Sequence, residues 1–165
     1  LAACLVLLST AVAHAEGEVV DFNLQKVAAE CDALKVARGA LEEKFGSQKN
    51  ELEKERTDLE KRIKDINNNK KATDKQKQEV EAKNKAYAEK AQAFMRLLQA
   101  DELRVRTDID TVINTAAKEL ATRKGYAMII DSAAVPYISP KFDVTNDMLT
   151  EANAVWKKMM TPESK

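Results

Sequence analysis

Between Ala33 and Leu120 the apolar residues recur with a helical period, in two runs. Leu34, Leu41, Leu52, Leu59, Ile63 and Ile66 form the first. Val80, Tyr87, Phe94, Leu98, Val105, Ile109 and Val112 form the second. Spacings of 3, 4, 7 and 11 return side chains to one face of a helix and cannot do so on a strand. Most intervening positions are charged or polar, and neither run contains proline. The runs are separated by Asn67-Asn68-Asn69-Lys70-Lys71-Ala72-Thr73-Asp74. Asparagine amides compete with the backbone for hydrogen bonds, so this stretch reads as a turn. The pattern predicts two long helices folded back on each other. Asp74 is the expected N-cap of the return helix, with Lys77 where a capping box would hold Glu.

The apolar stripe is not uniform. Near the turn it narrows to the seven-residue series Leu52, Leu59 and Ile66, the mark of a helix packed on one partner and wet elsewhere. Further back it thickens at Phe94, Met95, Leu97 and Leu98. The base is therefore expected to be packed and the tip solvated. Each helix of about 45 residues would project on the order of 60 Å. Gly39 and Gly46 lie seven apart in the first helix and read either as a point of close approach or as a weak spot.

Outside the hairpin the period changes. Glu18–Phe22 is short and β-branched and predicts a strand, followed by helix from about Leu24. Lys124-Gly125 ends the second long helix with a residue suited to a left-handed cap. Tyr126–Asp131 predicts a second strand, and Val135–Ser139 a third that Pro136 confines to an edge. Thr145 is the expected cap of a closing helix whose apolar side carries Met148, Leu149, Ala152, Val155, Trp156, Met159 and Met160. The expected fold is mostly α with a small β body, the hairpin being inserted between strands of one small sheet. Three short strands and one helix cannot shield both faces, so several bodies are expected to share a sheet or barrel.

Composition sharpens this. The 165 residues are 33% charged and only 5% aromatic, which suits long helices better than a mixed core. Lysine plus arginine equals aspartate plus glutamate at 27 each, so net charge selects no partner. The distribution is more informative: Lys61, Arg62, Lys64, Lys70, Lys71, Lys75 and Lys77 face only Asp65 and Asp74 around the turn. The tip is basic, either as a solvated face or as an anion-attracting end.

Leu1–Ala15 is apolar, uncharged and ends in Ala13-His14-Ala15, a small-x-small pattern. It reads as the remnant of a secretory leader cleaved after Ala15. A competing reading takes Leu1-Ala2-Ala3-Cys4 as a lipoprotein box with a lipidated Cys4. After cleavage Cys31 is the remaining cysteine and is expected to be a small buried hydrophobe between Val27 and Leu34. The mature chain would hold no histidine. Without a glycine-rich phosphate loop or metal spacing, it offers no catalytic residue, metal site or cofactor site. A basic tip without interleaved aromatics does not make a nucleic-acid interface.

The strings Val20-Asp21-Phe22-Asn23-Leu24-Gln25-Lys26-Val27, Lys124–Asp131 (KGYAMIID) and Val135–Thr145 (VPYISPKFDVT), placed around a charged hairpin, resemble the Skp/OmpH family of periplasmic chaperones. The resemblance covers essentially the whole mature chain. It implies a homotrimer with a β-barrel body, built here from residues 16–32 and 121–165. Residues 33–120 would form a tentacle. It implies ATP-independent holding of unfolded outer-membrane proteins in a cavity between tentacles, with anionic lipid or lipopolysaccharide as further partners at the basic tips. Val20, Phe22, Ile129, Ile130, Tyr137 and Ile138 would belong to the trimer body. The neutral net charge shifts weight from electrostatic capture toward Tyr87, Phe94 and Met95. The sequence leaves open whether these line the cavity or the helix seam, the seam being favoured. The alternative reading is an envelope-tethered structural or adaptor coiled coil.

Overall fold

The structure is a computed structural model describing residues 17–161. The expected leader, with Cys4 and His14, and the last four residues lie outside the described residues.

Strand β1 (Val19–Phe22) leads into helix α1 (Leu24–Glu30) and then helix α2 (Asp32–Asn68). Helix α3 (Asp74–Lys124) returns to strand β2 (Met128–Asp131), and helix α4 (Thr145–Met160) closes the chain. The two strands pair in parallel, with Val19 opposite Met128 and Phe22 opposite Asp131. Parallel pairing needs a long crossover, and here the crossover is the entire hairpin. An isolated bridge from Asp21 to Asp143 flanks β1 on its other side, where Val144 N–H donates to Asp21 O at 2.8 Å. β1 is thus flanked on both edges, and its Val20, Asp21 and Phe22 are buried. Asp21 is 5% exposed, and its Oδ1 has no hydrogen-bond partner among the described residues.

The predicted third strand at Val135–Ser139 is not formed; that segment joins two 3-10 turns, Ser132–Ala134 and Pro140–Phe142. A strand exists only with a neighbour to bond. Pro136 has no N–H, and among the described residues no strand lies alongside as a partner.

The core sits at the root of the hairpin. Leu120, Met148, Val20, Val27, Val112 and Cys31 are its fully buried large side chains. Cys31 is buried as expected, but it also separates α1 from α2, with φ −65° and ψ 148°. In one continuous helix Val27 and Ala33 would point about 120° apart. The break turns both into the same core. No glycine or proline marks it. It is held from across the fold, because Asn153 of α4 accepts the first α2 N–H, that of Asp32, at 2.8 Å.

The hairpin turn falls where the asparagines put it. Asn69 Oδ1 accepts the Lys71 N–H at 2.9 Å, and Asn69 O accepts the Ala72 N–H at 3.0 Å. The N-cap of α3 is Thr73, one residue before the expected Asp74. Thr73 Oγ1 accepts the Gln76 N–H, and Gln76 Oε1 accepts the Thr73 N–H at 2.9 Å. The capping box is thus complete with Gln as its acceptor. Gly125 ends α3 in the left-handed region at φ 75°.

Along the hairpin, burial falls with distance from the root. Phe45 and Phe94 meet edge to face, their centroids 5.7 Å apart and their planes at 86°. Lys44 pairs with Asp101 at 2.5 Å and Glu55 with Lys90 at 3.0 Å. Eleven residues forward on α2 match eleven backward on α3, so the antiparallel register holds without slip. Beyond Phe45, its neighbour Gly46 and Phe94, Leu59 is the one buried residue among the described residues of the hairpin. Gly39 has nothing within 4 Å of an added Cβ, and Gly46 faces only Glu42 of its own helix. Neither marks a close approach of the two helices.

Phe94→Ala should cost about 2–3 kcal/mol, below the full core range because one side of a two-helix seam stays open. In hydrogen exchange the loss should appear beyond the Phe45–Phe94 contact and spare α4.

Candidate functional site

The charged tip is assembled from both helices. Lys61, Arg62 and Lys64 lie in the last turns of α2, Lys70 and Lys71 in the turn, and Lys75 and Lys77 in the first turn of α3; all seven are exposed. Lys77 alone of them forms an ion pair among the described residues, to Asp74 at 3.6 Å. Arg62 sits beside Glu55, Asp58, Leu59 and Lys83 on the flank, farther from the end. The positive field is therefore strongest at the turn.

Of the apolar residues singled out on α3, Phe94 is buried in the seam against Phe45, so its ring is not presented outward. Tyr87 is half-buried and Met95, beside Phe94, is 48% exposed. Sequence reasoning missed two exposed neighbours, Leu97 and Leu103. Their signal was the helical phase itself, since neither falls on the seam positions. Phe45 was also missed, although it extends the Leu52, Leu59 and Ile66 series by one further heptad.

At the root, α1 crosses the hairpin and leaves a shallow groove of about 600 Å³. Leu24, Ala28, Leu34, Leu41, Val105 and Ile109 line it, and Arg38, Arg106, Glu102 and Asp110 are on its rim. The opposite face of the root is covered by α4. There Arg123 pairs with the buried Glu151 at 2.5 Å and Lys158 with Glu119 at 2.7 Å. The Lys158 ammonium beside it holds the Glu119 carboxyl below the ordinary glutamate range.

The body residues divide. Val20 and Phe22 are buried in the chain's own core, Ile129 packs on that core half-buried, and Ile130 and Ile138 are half-buried. Tyr137 is 82% exposed, and Val19 and Met128 form an exposed pair across the two strands. Near them Asp143 links three elements. Its Oδ1 accepts both the N–H (2.8 Å) and the Oγ1–H (2.5 Å) of Thr145. Thr145 Oγ1 in turn accepts the Asn23 N–H at 2.9 Å. Thr145 was expected to cap α4; instead Asp143 serves its first N–H, and the threonine hydroxyl ties α4 to the start of α1. These two bonds hold the Asp143 carboxyl below the ordinary aspartate range.

Among the described residues no group of three or more His, Cys, Asp or Glu could hold a metal. No described helix is long and apolar enough to cross a membrane. The described residues form a projecting helical hairpin on a small packed root. Residues 19–151 match the family described as outer membrane protein (OmpH-like), and the chain belongs to that Skp/OmpH family. Its members are periplasmic chaperones rather than enzymes. The chaperone protein Skp of Yersinia enterocolitica is 36% identical over 61 residues, a segment covering 37% of this chain and 37% of that protein. The crystal structure of an OmpH-like chain from Caulobacter crescentus CB15 matches with a TM-score of 0.65 and 20% identity, over 84% of this chain and 85% of that one. At that identity the shared property is the fold.

A carboxyl lowered by folding stabilises above the unfolded aspartate value of about 3.9 and loses that contribution as pH falls through its lowered folded value. The stability difference between the wild type and Asp143→Asn should therefore be full near neutrality and shrink below about pH 4. Urea titrations across that range measure it.

Proposed function

We propose that this protein is an ATP-independent periplasmic holdase that keeps unfolded outer-membrane proteins from aggregating. The observation that carries this is the free hairpin. Helix α4 packs on the root, and beyond the Phe45–Phe94 contact no other element of the described residues is buried against α2 and α3. An arm of that kind neither encloses a reaction nor completes its own core. It is available to another molecule, and membership of a chaperone family supplies the class of that molecule.

In this reading residues 16–32 and 121–165 form the body and residues 33–120 the tentacle. Three bodies close into a β-barrel, and three tentacles enclose a cavity. The outer edge of β2, the exposed Val19–Met128 pair and the exposed Tyr137 support such assembly. Each is apolar or hydrogen-bonding surface that one chain leaves uncovered. The segment Val135–Ser139, without a strand partner among the described residues, would find one there. The leader at residues 1–15 would deliver the chain to the periplasm. The basic tips would draw in acidic clients, or anionic lipid and lipopolysaccharide, over about a Debye length.

Without nucleotide, the full mature chain should suppress light scattering by an outer-membrane β-barrel protein diluted from urea, and should sediment as a trimer binding one client. A monomer with no effect on scattering would end this reading. Replacing Lys70, Lys71, Lys75 and Lys77 with Gln should slow capture about threefold or more at low salt and leave the trimer intact. Unchanged stopped-flow kinetics would reduce the tip to a solvated turn.

A further inference from the structure

Asp21 is buried without a donor. It is 5% exposed, and its Oδ1 has no hydrogen-bond partner among the described residues. A buried carboxylate oxygen left in that state costs free energy until a donor is supplied. Its neighbours on the sheet supply none. The parallel register places Asp21 on one face with Val19, Met128 and Ile130, all apolar. Across the other edge stands Asp143, whose carboxyl already accepts two bonds from Thr145 and has no proton to give. Val19 and Met128 on this face are 45% and 54% exposed. The face therefore lacks two things, a cover for its apolar pair and a donor for its carboxylate.

Tyr137 has the complementary surplus. It is 82% exposed, in a segment that has no strand partner among the described residues. A tyrosine ring covers apolar surface while its O–H seeks an acceptor. We infer that Tyr137 of a second copy lies over this face, its ring on Met128 and Ile130 and its hydroxyl donating to the Asp21 carboxylate. The open edge of β2 gives it access. A strand laid along that edge stands two strand spacings from β1, about 9–10 Å. A tyrosine and an aspartate pointing to the same face, with β2 between them, close that gap from both sides. The terminal torsion of aspartate is broad, so rotation brings the unpaired oxygen to the arriving hydroxyl. A lysine would supply a donor but no cover, and a leucine a cover but no donor. This rests on the reading of the body as a closed assembly of copies, and it names a contact that holds the assembly together. In a closed ring each copy gives its tyrosine to one neighbour and receives at its aspartate from the other.

Sedimentation of the full mature chain over a range of protein concentrations tests the pair. Tyr137→Phe removes one exposed oxygen, keeps the ring and leaves the fold of the single chain intact. It should raise the concentration for half-assembly about tenfold or more, as loss of a hydrogen bond to a charged group implies. On an Asp21→Ala background, with the fold checked by circular dichroism, the same substitution should change nothing. Mixing Tyr137→Phe chains with Asp21→Ala chains restores an intact pair wherever the two kinds meet in the right order. The mixture should therefore assemble about threefold more tightly than either variant alone. A mixture no tighter than its components would place the pair within one chain and overturn the inference. Wild-type protein that stays a monomer overturns the assembly reading and this one together. A wild-type trimer that Tyr137→Phe leaves equally tight overturns this one alone.

Discussion

The parallel pairing of β1 with β2 is the constraint on which the molecule depends. Two parallel neighbours cannot be joined by a tight turn, so the chain must leave the sheet and return. In most folds that excursion is one helix lying across the sheet. Here α2 and α3 leave together and come back together, so the connection becomes an arm. The root of the arm is fixed at four places: the strand pair, the Asn153 cap on α2, the Arg123–Glu151 pair and the Asp143–Thr145–Asn23 links. Everything distal is held by the two helices alone.

That division sets both stability and motion. Burial concentrates where α1, α3 and α4 meet, and it thins to the Phe45–Phe94 contact, two interhelical ion pairs and Leu59. Exposed ion pairs contribute little each, so the outer half of the hairpin is only weakly tied together. Local opening energies should rise from the tip to the root. The gradient leaves the root rigid and the outer half of the hairpin compliant.

The hairpin, its turn, both strands and the Gly125 cap could be read in the sequence because each has a local cause: a helical period, competing asparagine amides, β-branching, a glycine that tolerates positive φ. The features that could not be read have distant causes. The Cys31 break has no glycine or proline and is stabilised by Asn153. The caps of α3 and α4 shifted by a residue or two because Gln76 completes a box with Thr73, and because Thr145 is engaged by Asn23. Val135–Ser139 has the composition of a strand but lacks a neighbouring strand among the described residues. On the surface, the basic tip was visible as a cluster of lysines. The exposed Leu97 and Leu103 were not, because an apolar residue in a seam-forming helix reads as packed until its phase is set against the seam positions.

The Asn153 cap carries a consequence for how the molecule is made. The chain emerges from the ribosome N-terminus first, so the start of α2 is synthesised long before the amide that accepts its first N–H. The same holds for β1, which must wait for β2. Until the last helix is complete, the arm exists as a hairpin with an unsecured root, able to form its local turn and seam but not to take up its final angle. The body is the last part to set, and the arm becomes fixed in direction only once α4 brings Asn153 and Glu151 into place.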